Sequence, residues 1–152
     1  MKQSNFNAKV VNKMQIKLPS LSVNEGMARA AAAAFVSQLD PTATELADIK
    51  CAVSEAVTNC IVHAYCERKG EISITVRLIS GGVRICVRDR GCGIEDVRRA
   101  REPLFTTGDT EERSGLGFTM MESFMDRVSV RSRKGYGTLV ILTKYIGRGD
   151  DV

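Results

Sequence analysis

A carboxylate and an amide, Glu55 and Asn59, stand four residues apart in the stretch VSEAVTNCIVHAY. The stretch has the apolar spacing of a helix, so the two side chains should lie one turn apart on the same side. Oxygens placed in this way can supply a hard-cation ligand and a general base. Taken alone, the pair equally fits a solvated helix face, because the apolar stripe of this helix lies roughly opposite. Small and apolar neighbours nevertheless indicate that something non-aqueous covers this side: Cys51, Ala52, Val62 and His63.

Two glycine motifs follow along the chain. In RDRGCGI, Asp89 ends an alternating segment and is followed by Gly91 and Gly93, which would let a flat ligand approach while the carboxylate accepts a hydrogen bond. In SGLGF, Gly115 and Gly117 precede a helical pattern, and free N–H groups at a helix start bind phosphate. Each motif alone also fits a structural glycine turn or a flexible hinge.

Other nucleotide-binding signatures are absent from the sequence. It contains no G-x-x-x-x-G-K-[ST], which excludes a P-loop protein. Both glycine pairs lack the third glycine and the βαβ setting of a dinucleotide-binding fold.

Composition and length limit the classes of protein to which the chain can belong. The 152 residues, 43% hydrophobic and 26% charged, predict a single domain over residues 1–152 with its core at about 14–145. The chain has neither an apolar run of membrane-spanning length nor a signal peptide, so we expect a cytoplasmic protein with no membrane partner. Five cysteines without a C-x-x-C pair predict reduced, mostly buried thiols instead of a zinc site or disulfide framework.

Two S/T-x-x-E capping boxes indicate where the long helices begin. The first, Ser22 with Glu25, predicts an alanine-rich helix that ends at about Leu39. The second, Thr42 with Glu45, opens the helix that contains the acid–amide pair. Shorter helices are predicted at about 95–101 and at 116–126, separated by an aperiodic loop over 103–115.

The remaining segments alternate with the period of two that is typical of strands. They lie at 14–18, at 71–80 and 82–89, and at 127–133 and 138–145, and the last four form two hairpins. Long helices beside adjacent hairpins predict an α+β fold. We expect a two-layer sandwich whose antiparallel or mixed sheet has helices on one face.

The order and spacing of the motifs resemble the ATP site of the GHKL superfamily, the gyrase, histidine kinase and MutL type of ATPase. Within it, SEAVTNCIVHAY, VRDRGCGI, PLFTTGDTEERSGLGF and MDRVSVRSRKGYGT are similar to the bacterial anti-sigma factor serine kinases, above all to those of sporulation. The resemblance extends from about Met14 to Tyr145. It implies the GHKL (Bergerat) fold, a mostly antiparallel sheet in two layers with the helices.

This resemblance implies a role for each motif residue. Glu55 would be the base toward a serine hydroxyl, Asn59 would bind the Mg²⁺ that bridges the ATP phosphates, and Asp89 would accept from the adenine amino group. Residues 103–114 would form a lid over ATP. The other implied nucleotide contacts are Gly91, Gly93, Thr107, Gly108, Ser114, Gly115, Leu116, Gly117 and Thr138. Cys92 departs from the pattern, since we expect a small residue inside the glycine motif.

The implied function is that of an anti-sigma factor. As a homodimer it would bind and inhibit a sporulation sigma factor, and as an ATP-dependent protein-serine kinase it would inactivate an anti-anti-sigma protein. Arg29, near the start of an alanine-rich helix, would contact these partners, because its planar fork pairs with carboxylates. A solvated surface arginine would look the same in the sequence.

Three alternatives remain at this stage. A stress-response kinase of the same family would share every motif. A histidine kinase catalytic domain would need a phosphoaccepting histidine, whereas His63 lies inside the ATP motif. A basic nucleic-acid binder would need clustered Lys and Arg with interleaved aromatics. Only 5% of the residues are aromatic, so we expect no direct nucleic-acid partner.

Overall fold

The computed structural model describes residues 8–65, 68–103 and 117–147, and within them five strands form one sheet. The strands are β1 (Val10–Pro19), β2 (Glu71–Ile79), β3 (Gly82–Asp89), β4 (Arg127–Arg133) and β5 (Gly137–Tyr145). Their order is β1-β2-β3-β5-β4, and every neighbouring pair is antiparallel. The predicted strands and both hairpins are confirmed. The sheet is wholly antiparallel, so the mixed alternative was wrong.

Four α-helices lie in the described ranges. They are α1 (Asn24–Val36), α2 (Ala43–Asn59), α3 (Val97–Ala100) and α4 (Gly117–Phe124). A 3₁₀ turn, Ser37–Leu39, prolongs α1, and a π-helical turn, Cys60–Ala64, prolongs α2. Among these described helices, none has the length and apolar character needed to cross a membrane.

The predicted capping box of α2 is confirmed. The backbone N–H of Glu45 donates to Thr42 Oγ1 at 3.1 Å, and the Thr42 N–H donates to Glu45 Oε1 at 2.9 Å. Both groups would otherwise be unpaired at the helix start. Thr42 thereby fixes where α2 begins, and so fixes which helical positions face the sheet.

The capping box predicted for α1 was wrong. Val23 precedes the helix and caps it with no side-chain hydrogen bond. The carboxylate of Glu25 is turned away from the helix start, because its Oε1 accepts from Arg29 Nη1 at 3.1 Å and from the hydroxyl of Ser54 on α2. A tertiary contact between α1 and α2 therefore replaced the local cap.

The core lies between the sheet and the helices. Alternate residues of the central strands point toward the helices and are fully buried, for example Ile74 on β2, Ile85 on β3 and Leu142 on β5. Each such side chain contributes about 1.5–3 kcal/mol relative to an exposed position. Helix α1 packs over β1 and β2, α2 over β3 and β5, and α4 against α2. This confirms the predicted α+β sandwich with helices on one face.

The cysteines differ from the prediction. All four in the described ranges are free thiols: Cys60 is buried and Cys86 half-buried, but Cys51 and Cys92 are exposed. Cys66 lies outside the described residues. Mostly buried thiols were expected because cysteine usually packs as a small apolar side chain. Two positions instead face solvent, on the outer side of α2 and in the loop after β3.

Candidate functional site

The pair Glu55 and Asn59 lies against the first described residue of α4. A Cβ atom built on Gly117 would be 3.3 Å from Asn59 Oδ1 and 3.5 Å from Glu55 Oε2. Both polar side chains are half-buried there. Helix α4 therefore covers the part of this side that holds Glu55 and Asn59, whereas Cys51, one turn earlier on α2, is exposed.

This juxtaposition places hard oxygen donors beside a helix start. The N-terminal end of a helix is electropositive and favours anions, whereas carboxylate and amide oxygens favour Mg²⁺. A phosphate group and its cation would both find complementary groups here. The other predicted phosphate contacts lie outside the described residues: Thr107, Gly108, Ser114, Gly115 and Leu116.

The second part of the site is Asp89, the last residue of β3. The side chain is only 6% exposed, and its Oδ1 accepts from the backbone N–H of Gly91 at 3.0 Å and of Thr138 at 3.2 Å. Desolvation raises the pKa of Asp89, while hydrogen bonds from Gly91, Cys60 and Thr138 oppose that rise. The structure therefore brings Asp89 and Thr138 together, and their contact with a nucleotide stays a prediction.

Cys60 links the two parts, a role that the sequence analysis missed. It directly follows Asn59, is 3% exposed, and its thiol lies close enough to Asp89 for the charge of that carboxylate to act on it. Burial, and then the charge and hydrogen bond of Asp89, raise the pKa of the Cys60 thiol, so it stays protonated and can donate. The end of α2 and the end of β3 therefore belong to one site. Helical periodicity marked this residue only as part of the apolar stripe.

Gly91 and Gly93 are required by the protein's own backbone. A Cβ on Gly91 would lie 2.3 Å from the carbonyl oxygen of Ala64, well inside van der Waals contact. Gly93 has a φ of +74°, and its Cβ would lie 2.2 Å from the carbonyl oxygen of Arg133. The loop after β3 can pack onto the π-helical turn after α2 and onto β4 only with glycine at these positions. Their role in shaping a ligand pocket stays a prediction.

Cys92 anchors that loop to the π-helical turn. Its backbone N–H donates to Ala64 O at 3.1 Å, and its thiol donates to His63 O at 3.2 Å. A π-helical turn leaves carbonyl groups available at the helix end, and such turns are frequent at functional sites. The unexpected residue in the glycine motif therefore has a structural reason. His63 itself is half-buried in the turn.

Ser132 on β4 is a second residue that the sequence analysis missed. Its hydroxyl accepts from the Ile94 N–H at 2.7 Å, donates to Gly137 O at 3.0 Å, and lies 2.7 Å from Thr138 Oγ1. It thereby ties the glycine loop to the hairpin that supports Asp89. The register of the predicted β4–β5 hairpin pairs Ser132 with Thr138 and would have identified it.

A groove of about 440 Å³ runs between α1, α2 and α4 beside this site. Glu55 and Arg29 both line it, together with Lys50, Ser54 and Met120. Arg29 is half-exposed and forms an i,i+4 ion pair with Glu25. Arg29, the proposed partner contact, and Glu55, the proposed base, therefore open onto the same groove, although no pattern in the sequence placed them together.

Comparison with known proteins agrees with this geometry. Residues 18–144 match the family described as a histidine kinase-like ATPase domain. An anti-sigma F factor of Caldanaerobacter subterraneus is 56% identical over 137 residues, which cover 90% of this chain and 96% of that protein. An anti-sigma F factor of Geobacillus kaustophilus is 51% identical over 90% of this chain and 94% of the relative.

Two solved structures share the fold. The chain superposes on a structure of the RsbU and RsbW domains of a Mycobacterium tuberculosis protein with a TM-score of 0.65 and 24% identity, over 90% of this chain and 33% of that one. It also superposes on the catalytic domain of the histidine kinase ThkA with a TM-score of 0.56 and 16% identity, over 90% and 97% of the two chains. At these identities the superpositions show the architecture alone.

Proposed function

Because the chain belongs to the histidine kinase-like ATPase family, among its anti-sigma F factor members, we propose that it is an anti-sigma factor with protein-serine kinase activity. It binds and inhibits a sporulation sigma factor, and it uses ATP to phosphorylate and inactivate an anti-anti-sigma protein. The observation that supports this most directly is the Glu55–Asn59 pair beside the start of α4. Cys60, which follows Asn59 at the C-terminal end of α2, lies near Asp89.

The nucleotide would lie between these two parts of the site. Asp89 has a fixed carboxylate with which to accept from the adenine amino group, and Thr138 and the glycines 91 and 93 shape that end. Asn59 provides an oxygen ligand for Mg²⁺, and Gly117 leaves room for a phosphate at the start of α4. Bound Mg²⁺ would neutralise charge on the phosphates.

Glu55 would act on the protein substrate. Its carboxylate accepts the proton of the attacking serine hydroxyl while the new bond forms between the serine oxygen and the γ-phosphorus of ATP. The bond from that phosphorus to the β–γ bridging oxygen breaks, and ADP leaves with the electron pair. Asn59 and the start of α4 position the phosphate in line, and positioning provides most of the rate enhancement in such transfers.

The partners follow from the names of the relatives, which are anti-sigma factors. We propose a sigma factor and an anti-anti-sigma protein as partners, a homodimer as the active form, and residues 1–152 as one kinase domain with its core at about 14–145. Because a sigma factor acts in transcription, we also propose that the protein is cytoplasmic. A stress-response sigma factor is the alternative partner within the same family.

Incubation with labelled ATP, Mg²⁺ and candidate anti-anti-sigma proteins tests the activity. We expect label on the candidate protein, recovered as acid-stable phosphoserine, and none when Mg²⁺ is chelated. Acid-labile phosphohistidine on this chain would instead support the histidine kinase alternative, which shares the fold. Transfer to a stress-response antagonist alone would contradict the sporulation assignment.

Replacing Arg29 should separate partner capture from nucleotide binding. Phosphorylation would add negative charge to the anti-anti-sigma protein near this groove and weaken its complex, so the two partners are expected to compete for an overlapping surface. We expect Arg29→Glu to impair capture of one or both partners by at least tenfold, while its ATP affinity stays near that of the wild type. Pull-down and calorimetry measure the two effects.

The control must allow for the ion pair between Arg29 and Glu25. Arg29→Glu places two like charges one turn apart, which costs a few tenths of a kcal/mol, so Arg29→Ala should be measured beside it. Arg98→Glu makes the same charge change on α3, away from the groove. Full capture of both partners by folded Arg29→Glu and Arg29→Ala proteins would show that the interface does not include Arg29.

A further inference from the structure

One lysine lies on the side of the sheet that faces the helices. Lys144 alternates along β5 with Val140 and Leu142, which are buried core residues. The side chain of Lys144 is only 12% exposed. A lysine is rare at such a position unless its ammonium group is paired, because desolvation of an unpaired charge opposes folding. The partners of Lys144 therefore indicate why the sequence has a cation here.

The ammonium group of Lys144 has partners on two different helices. Its Nζ donates to the carbonyl oxygen of Phe124, the last residue of α4, at 2.7 Å and to Asp48 Oδ2 on α2 at 3.3 Å. The carbonyl groups in the last turn of a helix have no partner within the helix and form the negative end of its dipole. Lys144 therefore caps α4 and joins the end of that helix to α2.

The residues that flank Lys144 on β5 attach to the same end of α4. The backbone N–H of Asp126 donates to the carbonyl oxygen of Thr143 at 3.0 Å. The backbone N–H of Tyr145 donates to Asp126 Oδ2 at 2.7 Å. Consecutive residues of β5 thus hold the chain where it leaves α4, and Lys144 extends this attachment to α2.

Asp48 lies on the same face of α2 as the acid–amide pair. It precedes Glu55 by seven residues and Asn59 by eleven, so the three side chains lie within about 40° of one another around the helix axis. Glu55 and Asn59 lie against Gly117 at the start of α4, whereas Asp48 is joined through Lys144 to the other end. One stripe of α2 therefore meets both ends of α4.

The short length of α4 makes this attachment matter for the site. The helix has eight residues, so Gly117 is about 10 Å from Phe124 and a shift at one end displaces the other. A misplacement of about 1 Å can lower the rate of a reaction by about 10²-fold. The ion pair of Glu122 with Arg101 joins α4 to the segment after α3 and does not fix its distance from α2.

We propose that Lys144 and Asp48 are positioning residues for phosphoryl transfer, an inference that rests on the kinase function proposed above. They hold the end of α4 so that its start keeps the γ-phosphate of ATP in line with the serine that Glu55 deprotonates. Both act from the far end of α4, about 10 Å from Gly117, and contribute no group to the reaction itself.

Single-turnover transfer of label from ATP tests the proposal on the full chain. We expect Lys144→Met to lower the rate constant for transfer by about tenfold, while Mg-ADP affinity stays within about threefold of the wild type. Asp48→Asn should lose less, because Lys144 keeps its bond to Phe124. The double variant should lose no more than Lys144→Met alone, because both changes break one attachment.

A merely structural role would give a different pattern. Loss of stability lowers the fraction of folded enzyme, and so the amplitude of the single-turnover reaction, but leaves the rate constant of the folded molecules unchanged. The double variant allows for misfolding of Lys144→Met, since it leaves no unpaired charge at the attachment. Lys9→Met is the matched control: it removes the same charge from an exposed position before β1 and should keep the wild-type rate constant.

Hydrogen exchange provides a readout that needs neither ATP nor a partner. The backbone amides of α4 should exchange about tenfold faster in Lys144→Met, because a hydrogen bond from a charged donor stabilises the closed helix by an amount of that order. The amides of α2 should keep their wild-type protection. This measurement shows directly whether Lys144 holds α4.

Two results would overturn the positioning role while the kinase function stands. One is wild-type protection of α4 in Lys144→Met, which would show that other contacts hold the helix. The other is faster exchange of α4 with an unchanged rate constant for transfer, which would make the attachment a matter of stability alone. Absence of transfer by the wild type to every candidate protein would instead overturn the kinase function, and the positioning role with it.

Discussion

Glu55→Gln should bind Mg-ATP with nearly wild-type affinity and lose serine phosphorylation by roughly 10²-fold or more. Glutamine preserves the size and hydrogen-bonding reach of the side chain beside Gly117 but cannot accept the serine proton. Positioned general bases contribute about 10²–10⁴-fold to rates. Single-turnover transfer from labelled ATP, measured beside calorimetry of nucleotide binding, separates the two effects.

Two further variants sharpen this test. Glu71→Gln removes one carboxylate from β2, away from the groove between α1, α2 and α4, and should keep full activity. Asn59→Ala should weaken Mg²⁺-dependent nucleotide binding itself, because it removes the proposed metal ligand. Substantial kinase activity in Glu55→Gln would leave positioning of the phosphate as the whole mechanism and remove Glu55 from the role of base.

Asp89→Asn should lose nucleotide affinity by about tenfold to a hundredfold. Hydrogen bonds to charged acceptors are worth about 1.5–3 kcal/mol, and the amide of asparagine would direct a donor where the adenine amino group needs an acceptor. Calorimetry with Mg-ADP measures the change. Asp40→Asn is the matched control, since Asp40 is exposed and has a φ of +50°, which asparagine tolerates.

The same substitution should not destabilise the protein without nucleotide. Folding raises the pKa of Asp89, mainly by desolvation, so its ionised form opposes folding. The stability associated with its proton is fully present below the ordinary aspartate pKa of about 3.9 and is lost as the pH rises through the higher pKa of the folded state. Urea unfolding of Asp89→Asn should therefore show stability at pH 7 equal to or above that of the wild type.

Urea unfolding measured over a series of pH values tests this expectation. The stability of the wild type relative to Asp89→Asn should fall from acid toward neutral pH. If Asp89→Asn instead unfolds much more easily at pH 7, the carboxylate is a structural anchor of the loop after β3. Its loss of nucleotide affinity would then be no measure of adenine recognition.

Local pattern alone determined most of the fold. Period-two alternation identified all five strands, and a two-partner capping box identified the start of α2, because these features depend on residues close together in the chain. The capping box predicted for α1 does not form for the opposite reason: the Glu25 carboxylate accepts a hydrogen bond from Ser54, a residue on another helix. Local rules hold where no tertiary contact competes for the same side chain.

The sequence by itself also determined the types and order of the site residues, Glu55, Asn59, Asp89 and Thr138. Only the tertiary structure showed that Cys60 joins Asn59 to Asp89, and that Gly91 is glycine because Ala64 lies against it. Contacts of this kind join segments that are far apart in the chain, and the number of residues between two segments does not indicate their distance in space.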